Sequence, residues 1–192
     1  AQEAGVQYVI FQGRQPGMDM PQSYYERYDS AQKEAMARMR SVFEGKIIAP
    51  ADWDPKIGYW KDADIVSQKI WDILGVANST ASQEELDLAV ETLLDGYKRF
   101  YLDTGKPFLI DQLAYSSVDG AAIGIRVAEG DDPLKYLLDL QEQRMIHAAF
   151  YKAINEREWI IGANLFGYGF TDAPLDREVG IRAKPAEDVA SA

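Results

Sequence analysis

The sequence contains no cysteine and a single histidine, His147. These two facts exclude several kinds of covalent and metal site. Without a thiol, the chain cannot form a disulfide bond, a thiolate nucleophile or a zinc–thiolate centre. A metal site built from three histidines is excluded as well. His147 lies inside a predicted helix with no serine and acid arranged near it, which favours a structural role. Acid pairs such as Asp52 with Asp54, or Asp131 with Asp132, could bind Mg²⁺ or Ca²⁺ through oxygen ligands, but no EF-hand spacing supports this. We therefore expect no metal site, and we expect no cofactor.

Basic residues are outnumbered, with 20 lysines and arginines against 31 acidic residues and a formal net charge of −11. This balance argues against a nucleic-acid-binding surface and against attraction to anionic lipid. No run of 18 or more apolar residues occurs, so the sequence predicts no membrane span. The opening AQEAG is typical of a mature N-terminus after signal-peptide cleavage, which favours export; localisation is otherwise undetermined.

Five short apolar runs alternate with longer amphipathic segments, the pattern of βα units that feed a parallel sheet. The predicted strands are residues 5–13, 45–52, 63–71, 106–115 and 158–168. Predicted helices cover residues 22–43, 82–105 and 133–155, with one further turn around IGYWKDAD. The middle helix has the clearest ends, because Ser82 and Glu85 form a capping box and Gly105 stops the apolar periodicity.

This order of elements predicts an α/β fold, either a doubly wound sheet or part of an eight-stranded barrel. Neither G-x-G-x-x-G nor G-x-x-x-x-G-K-[ST] occurs, so nucleotide binding of those kinds is unsupported. No internal repeat, low-complexity segment or interdomain linker is present, and we expect residues 1–192 to form one domain.

The ends of the predicted strands combine amides, acids and aromatic residues, and in parallel α/β folds functional residues collect there. Sugars present apolar C–H faces and rims of hydroxyl groups, which suit aromatic platforms beside amides and carboxylates. The alternative is that the aromatic residues cap the core while the polar groups satisfy loop backbone. The predicted substrate contacts are Trp53, Gln68, Trp71, Tyr115, Asp119 and Tyr168.

The ordered segments FQGRQP, GKIIAPADW, GKPFLIDQLAYSSVDGAA and GIRAKPAEDV resemble the C-terminal part of clan A glycoside hydrolase barrels. The resemblance is closest to family 113, the β-mannanase-like type, and covers nearly the whole chain as units four to eight of a (β/α)8 TIM barrel. Its most specific piece is the predicted fourth strand, where the family reads GKP, two apolar residues, then T-E-I-G-Y-x-S-x-D-G-A. The resemblance implies that residues 1–192 are the C-terminal portion of such a barrel.

In that family two glutamates flank the scissile bond, and by position they correspond to Gln15 (acid/base) and Gln112 (nucleophile). Retention needs the two carboxyls about 5 Å apart. A glutamine is neither a general acid at neutral pH nor a good nucleophile, so both positions are expected to be inactive. Asp111 stands where the family favours threonine and Ala114 where it favours glycine, which favours natural divergence over engineering. Asp111 cannot simply replace its neighbour, because adjacent strand residues face opposite sides.

Three hypotheses follow. The leading one is a glycoside-hydrolase-like pseudoenzyme with a glycan-binding or scaffold role. The second is a retaining, mannanase-like β-glycosidase present as a disabled Glu-to-Gln variant, and the third is a structural subunit that binds no sugar. The expected partners are a β-linked glycan and, because a closed barrel needs eight strands, a second chain or a missing N-terminal segment.

Overall fold

The computed structural model describes residues 5–12, 20–128, 130–167 and 175–191. The strands are β1 (Tyr8–Ile10), β2 (Lys46–Pro50), β3 (Ile65–Ile70), β4 (Phe108–Leu113) and β5 (Ile160–Leu165). The α-helices are α1 (Gln22–Arg40), α2 (Gln83–Thr104), α3 (Leu140–Asn155) and α4 (Pro185–Ala190). Single 3-10 turns occupy Tyr59–Asp62, Ala121–Ile123 and Pro133–Lys135.

The five strands form one parallel sheet in the order β1-β2-β3-β4-β5. Ile48 pairs with Ile65 across β2 and β3. Past the strand ends, the backbone N–H of Ala114 donates to Ile70 O at 3.3 Å. Sequential parallel strands joined by helices confirm the predicted fold class, an incomplete (β/α)8 barrel. Each strand is shorter than predicted, although some flanking residues still bond to the neighbouring strand, as the Phe11 N–H does to Ile48 O at 2.7 Å.

Helix α2 confirms the sequence prediction at both ends. The backbone N–H of Ser82 donates to Glu85 Oε2 at 2.7 Å, and the N–H of Glu85 donates to Ser82 Oγ at 3.2 Å. After Thr104 the chain turns at Gly105, whose φ of 66° lies in the left-handed region that glycine adopts without steric cost.

Two predicted helix boundaries were wrong, and one helix was not predicted. Helix α1 ends at Arg40 rather than residue 43. Helix α3 begins at Leu140 rather than residue 133, because the Asp139 carboxylate caps it by accepting the Glu142 N–H at 2.8 Å. Pro133 starts a separate 3-10 turn. The short α4 has too few residues to show helical periodicity.

The chain divides into two compact units, residues 1–68 with 100–109 and residues 69–99 with 110–192. The first unit is centred on an aromatic cluster in which Phe100 stacks on Phe108 and meets Trp60 edge-on. The second is centred on α3, whose Ile146 and Phe150 are fully buried. Burying a side chain of this size contributes about 1.5–3 kcal/mol each. None of the helices in the described ranges is long and apolar enough to cross a bilayer.

Candidate functional site

The second unit contains a cavity of about 730 Å³. Its volume lies inside the range of roughly 300–1,000 Å³ typical of ligand pockets. Residues just beyond the carboxyl ends of three strands contribute to it: Trp71 follows β3, Tyr115 follows β4 and Phe166 follows β5. The loops after parallel strands converge at one edge of a sheet, so this is where an α/β fold places a site. The lining includes Trp71, Tyr115, Arg126, Asp131, Phe166 and Glu178.

Trp71 and Phe166 form a partly exposed aromatic pair at this cavity. Their ring centroids lie 5.7 Å apart with the planes tilted by 40°. Each residue remains 43% exposed, although aromatic side chains usually bury most of their surface. The Lys69 ammonium lies 5.9 Å from the Trp71 ring centroid. The pair therefore offers ring faces to a ligand.

Three polar residues, one each on β3, β4 and β5, lie just before the aromatic pair along the strands. Lys69 precedes Trp71 by two residues and Asn164 precedes Phe166 by two, so strand alternation gives each pair the same face. Between them on β4 is Asp111, whose side chain interacts with both Lys69 and Asn164. We call Lys69, Asp111 and Asn164 the polar row. It combines a cation, a carboxyl and an amide, which together donate and accept hydrogen bonds.

The carboxyl of Asp111 is nearly buried, with the residue 5% exposed, while its two neighbours in the polar row are exposed. Burial raises the pKa of Asp111, and the Lys69 cation and a hydrogen bond with Asn164 partly offset that rise. The Asp111 carboxyl is therefore protonated at a higher pH than a surface aspartate would be.

Gln112, the predicted nucleophile position, is adjacent to Asp111 on β4 and alternation places it on the opposite strand face. Its Oε1 is buried and has no hydrogen-bond partner among the described residues. Gln112 does not occur among the described residues that line the cavity. Gln15 and Tyr168, the predicted acid/base position and one predicted contact, lie outside the described residues.

Tyr115 lines the cavity but is anchored in the core. Its hydroxyl donates to the backbone oxygen of Asp72 at 3.0 Å, and its ring packs 5.5 Å from Phe150. It is a buried residue, so it forms the base of the cavity and not an exposed platform.

Asp119 lies apart from the cavity lining, in a carboxylate cluster with Asp139 and Glu142. One oxygen from each of the three lies within 4.8 Å of the others, a spacing that would suit a metal ion. However, the Glu142 oxygens already accept the backbone N–H groups of Gly120 at 2.7 Å and Ala122 at 3.0 Å. The cluster is therefore explained by the loop that it holds.

Two predicted contacts, Trp53 and Gln68, belong to the first unit. Trp53 is 45% exposed and packs edge-on against Phe100 at 4.7 Å. The Gln68 side chain donates to Ala51 O at 2.7 Å. Of the predicted contacts, the structure thus brings Trp71 and Tyr115 together at one cavity.

Asn164 and Phe166 were not among the predicted contacts, and neither Lys69 nor Arg126 was predicted as a site residue. A usable signal existed for two strands, where a polar residue and an aromatic residue are spaced by two: Lys69 with Trp71, and Asn164 with Phe166. Arg126 lies in an irregular loop, and no periodicity marks such a position.

No protein-family model matches the sequence, and no curated protein matches it at a significant level. Solved structures do match. A GH113 β-1,4-mannanase has a TM-score of 0.64 and 20% identity, over 85% of this chain and 50% of the mannanase. The GH113 β-mannanase of Alicyclobacillus acidocaldarius has a TM-score of 0.66 and 18% identity, over 98% of this chain and 55% of its own.

A β-glucuronidase from Faecalibacterium prausnitzii matches with a TM-score of 0.57 and 13% identity, over 96% of this chain and 31% of the glucuronidase. The chain thus spans about half the length of the GH113 mannanases that it matches. At these identities the likeness establishes the fold: five βα units of the barrel seen in glycoside hydrolases of the mannanase and glucuronidase kinds.

Proposed function

We propose that this chain is a glycoside-hydrolase-like domain that binds a β-linked glycan in the cavity of its second unit and does not hydrolyse it. The observation that carries the proposal is the partly exposed Trp71–Phe166 pair, set one strand step from the polar row of Lys69, Asp111 and Asn164. An apolar face beside mixed donors and acceptors matches the two surfaces that a pyranose ring presents.

In this arrangement, the Trp71 ring stacks against the C–H face of a sugar. Beside the cavity lining, the exposed Asn164 amide and the Lys69 ammonium bond sugar hydroxyls, while the nearly buried Asp111 holds the Asn164 amide through their hydrogen bond. Arg126 and Asp131 at the cavity add a further donor and acceptor. Cationic and anionic groups are both present, which favours a neutral sugar over a strongly charged one.

The proposed lack of hydrolysis follows from the residues at the former catalytic positions. Double displacement needs a carboxyl acid and a carboxylate nucleophile on either side of the bond. Gln112 offers an amide, and its oxygen is buried without a partner among the described residues. Gln15 supplies a second amide in place of the acid.

The first choice of ligand is a β-1,4-linked mannan oligosaccharide. Support comes from the fold shared with GH113 β-1,4-mannanases and from the motif resemblance in β4 and the loop after it. Other β-linked glycans belong in the same test, because a shared fold does not determine the sugar.

The Trp71→Ala variant tests the site itself. Removing the stacking surface is expected to weaken oligosaccharide binding about tenfold or more, equivalent to about 1.4 kcal/mol. Tyr24→Ala, which removes a partly exposed aromatic ring from α1 in the first unit, is the matched control and should leave affinity unchanged. Equal effects of the two substitutions would place the binding elsewhere.

Reversion separates the proposal from a disabled enzyme. The double variant Gln15→Glu and Gln112→Glu is assayed on β-1,4-mannan oligosaccharides beside the unaltered chain. We expect no sugar release from either, because Gln112 does not occur among the described residues that line the cavity and a carboxylate there would not reach the bound sugar. Release by the double variant alone would instead identify a retaining glycosidase disabled at two positions. Absence of glycan binding by the unaltered chain would favour the structural subunit.

A further inference from the structure

Lys184, in the turn that leads into α4, is a buried lysine with three hydrogen-bond acceptors. The residue is 3% exposed. Its ammonium donates to Asp176 Oδ1 at 2.5 Å, to Ser117 Oγ at 3.0 Å and to Glu178 O at 3.1 Å. A lysine ammonium has three donors, so these contacts match its full capacity. Buried charges persist when they are paired and hydrogen-bonded in this way.

These acceptors belong to two segments that face the same cavity. Ser117 follows Ser116 and Tyr115, which line the cavity after β4. Glu178 lines it too, together with Val179. We call residues 176–179 the wall segment.

The bonds around Lys184 hold the wall segment against the β4 loop. The backbone N–H of Ser117 donates to Glu178 O at 3.2 Å, and the Ser117 hydroxyl donates to Asp176 O at 2.8 Å. The Gln143 side chain, on α3, donates to Tyr115 O at 2.8 Å and, at 3.4 Å, to Val179 O in the wall segment. Lys184 is the cation in this network. Its counter-ion, Asp176, is the first residue of the wall segment.

The backbone before Lys184 adopts a costly conformation. Ala183 has a φ of 58°, in the left-handed region that non-glycine residues rarely enter. Its N–H donates to Glu187 Oε2 at 2.7 Å, which closes the turn. Such strain persists where surrounding contacts determine the conformation, and here those contacts are the bonds made by the next side chain.

We propose that Lys184 is a positioning residue for the cavity: through Asp176, Ser117 and Glu178 it sets the wall segment against the β4 loop. It does not touch the ligand. The ligand-binding part of this inference rests on the proposed glycan function. The placement of the wall segment does not, so the experiment measures the two separately.

Lys184→Met is the informative variant, because methionine fills a similar volume without the charge or the three donors. We expect hydrogen exchange to become at least tenfold faster at the Ser117 amide, which donates to Glu178 O, and at the Glu178 amide, which donates to Asp176 Oδ1. Amides of α2 serve as the internal reference for global stability, since a merely structural role would speed all these sites together. Lys152→Met removes an exposed lysine paired with Asp87 and is the matched control.

Unchanged protection of the wall segment in folded Lys184→Met protein, within twofold, would overturn the proposal. Should that variant fail to fold, Asp176→Asn carries the same test, because it removes the counter-charge and keeps the side-chain shape. Faster exchange confined to the wall segment and the Ser117 amide would support the proposal in either variant, and protection equal to the unaltered chain would contradict it.

Calorimetry with a β-1,4-mannan oligosaccharide adds the functional arm. If the unaltered chain binds, we expect Lys184→Met to weaken affinity about tenfold and Lys152→Met to leave it unchanged. Full affinity in Lys184→Met would contradict a positioning role. If the unaltered chain does not bind this sugar, the glycan proposal fails for it, and the exchange result alone decides the role of Lys184.

Discussion

His147 shows how a single residue acquires its properties from packing. Its place in the sequence predicted a structural histidine, and in the structure it is completely buried on α3. Neither ring nitrogen has a hydrogen-bond partner among the described residues. Burial lowers the pKa of His147 to about 4, and the nearby Lys184 cation acts in the same direction. The folded chain therefore holds the imidazole neutral.

This depressed pKa predicts a loss of stability in mild acid. Above the ordinary histidine pKa of 6.5 both folded and unfolded states are neutral, so His147 adds no pH dependence. As the pH falls from 6.5 toward 4, His147 is protonated in the unfolded state but stays neutral in the folded state. The free energy of unfolding therefore falls by roughly 3 kcal/mol.

Denaturant unfolding at several pH values checks this contribution. Carboxyl groups titrate in part of the same window, so the relevant quantity is the difference between the unaltered chain and His147→Leu. We expect the variant to have the flatter profile between pH 6.5 and 4.5. Parallel profiles would mean that His147 titrates normally in the fold.

For single residues, the sequence identified candidate side chains but did not predict their surroundings. Gln112 was identified from its place in a motif, and the amide is present on β4. That its oxygen is buried, and that Asp111 instead joins Lys69 and Asn164, depends on side chains from three strands. Alternation predicted that Asp111 and Gln112 face opposite sides; the neighbouring strands decide what each side contains.

Among the elements, α2 was predicted best because its signals are local. The capping box needs residues three apart, and the stop needs one glycine in the left-handed region. The start of α3 was missed because its cap, Asp139, follows a proline turn whose polar residues also suit a helix start. Local sequence did not distinguish Asp139, which caps α3, from Asp132, which caps the 3-10 turn at Pro133–Lys135.

The Ser82→Ala variant tests the capping box. Loss of the hydroxyl that accepts the Glu85 N–H should lower the free energy of unfolding by about 1 kcal/mol. Thr92→Ala, an exposed position in the middle of the same helix, is the control and should cost less, since alanine has the higher helix propensity. A cost for Thr92→Ala equal to that for Ser82→Ala would contradict the cap assignment.

For the whole molecule, the alternation of strands and helices predicted five parallel strands, and the motif resemblance to glycoside hydrolase barrels predicted the sequential order that the sheet has. The cavity was harder to predict, because Trp71 and Phe166 are separated by 95 positions in the chain and meet only once β3 and β5 flank β4. Each appears in the sequence as one more aromatic residue after a strand.

An eight-stranded barrel also needs more strands than these five, so we predict that the 192-residue chain associates. The terminal strands expose apolar side chains, Tyr8 on β1 and Ile161 on β5, and unpaired strand edges favour pairing with another chain. Native mass spectrometry should show a dimer or a larger assembly. A stable, soluble monomer would contradict completion of the sheet by a second copy.

As proposed, the chain binds a β-linked glycan and leaves it intact. The most direct test of this proposal is calorimetric titration of the unaltered chain with a β-1,4-mannan oligosaccharide, followed by mass analysis of the recovered sugar. We expect saturable binding that Trp71→Ala weakens about tenfold, with the oligosaccharide recovered uncut. Absence of binding heat with this and other β-linked glycans, or recovery of shortened sugar, would contradict the proposal.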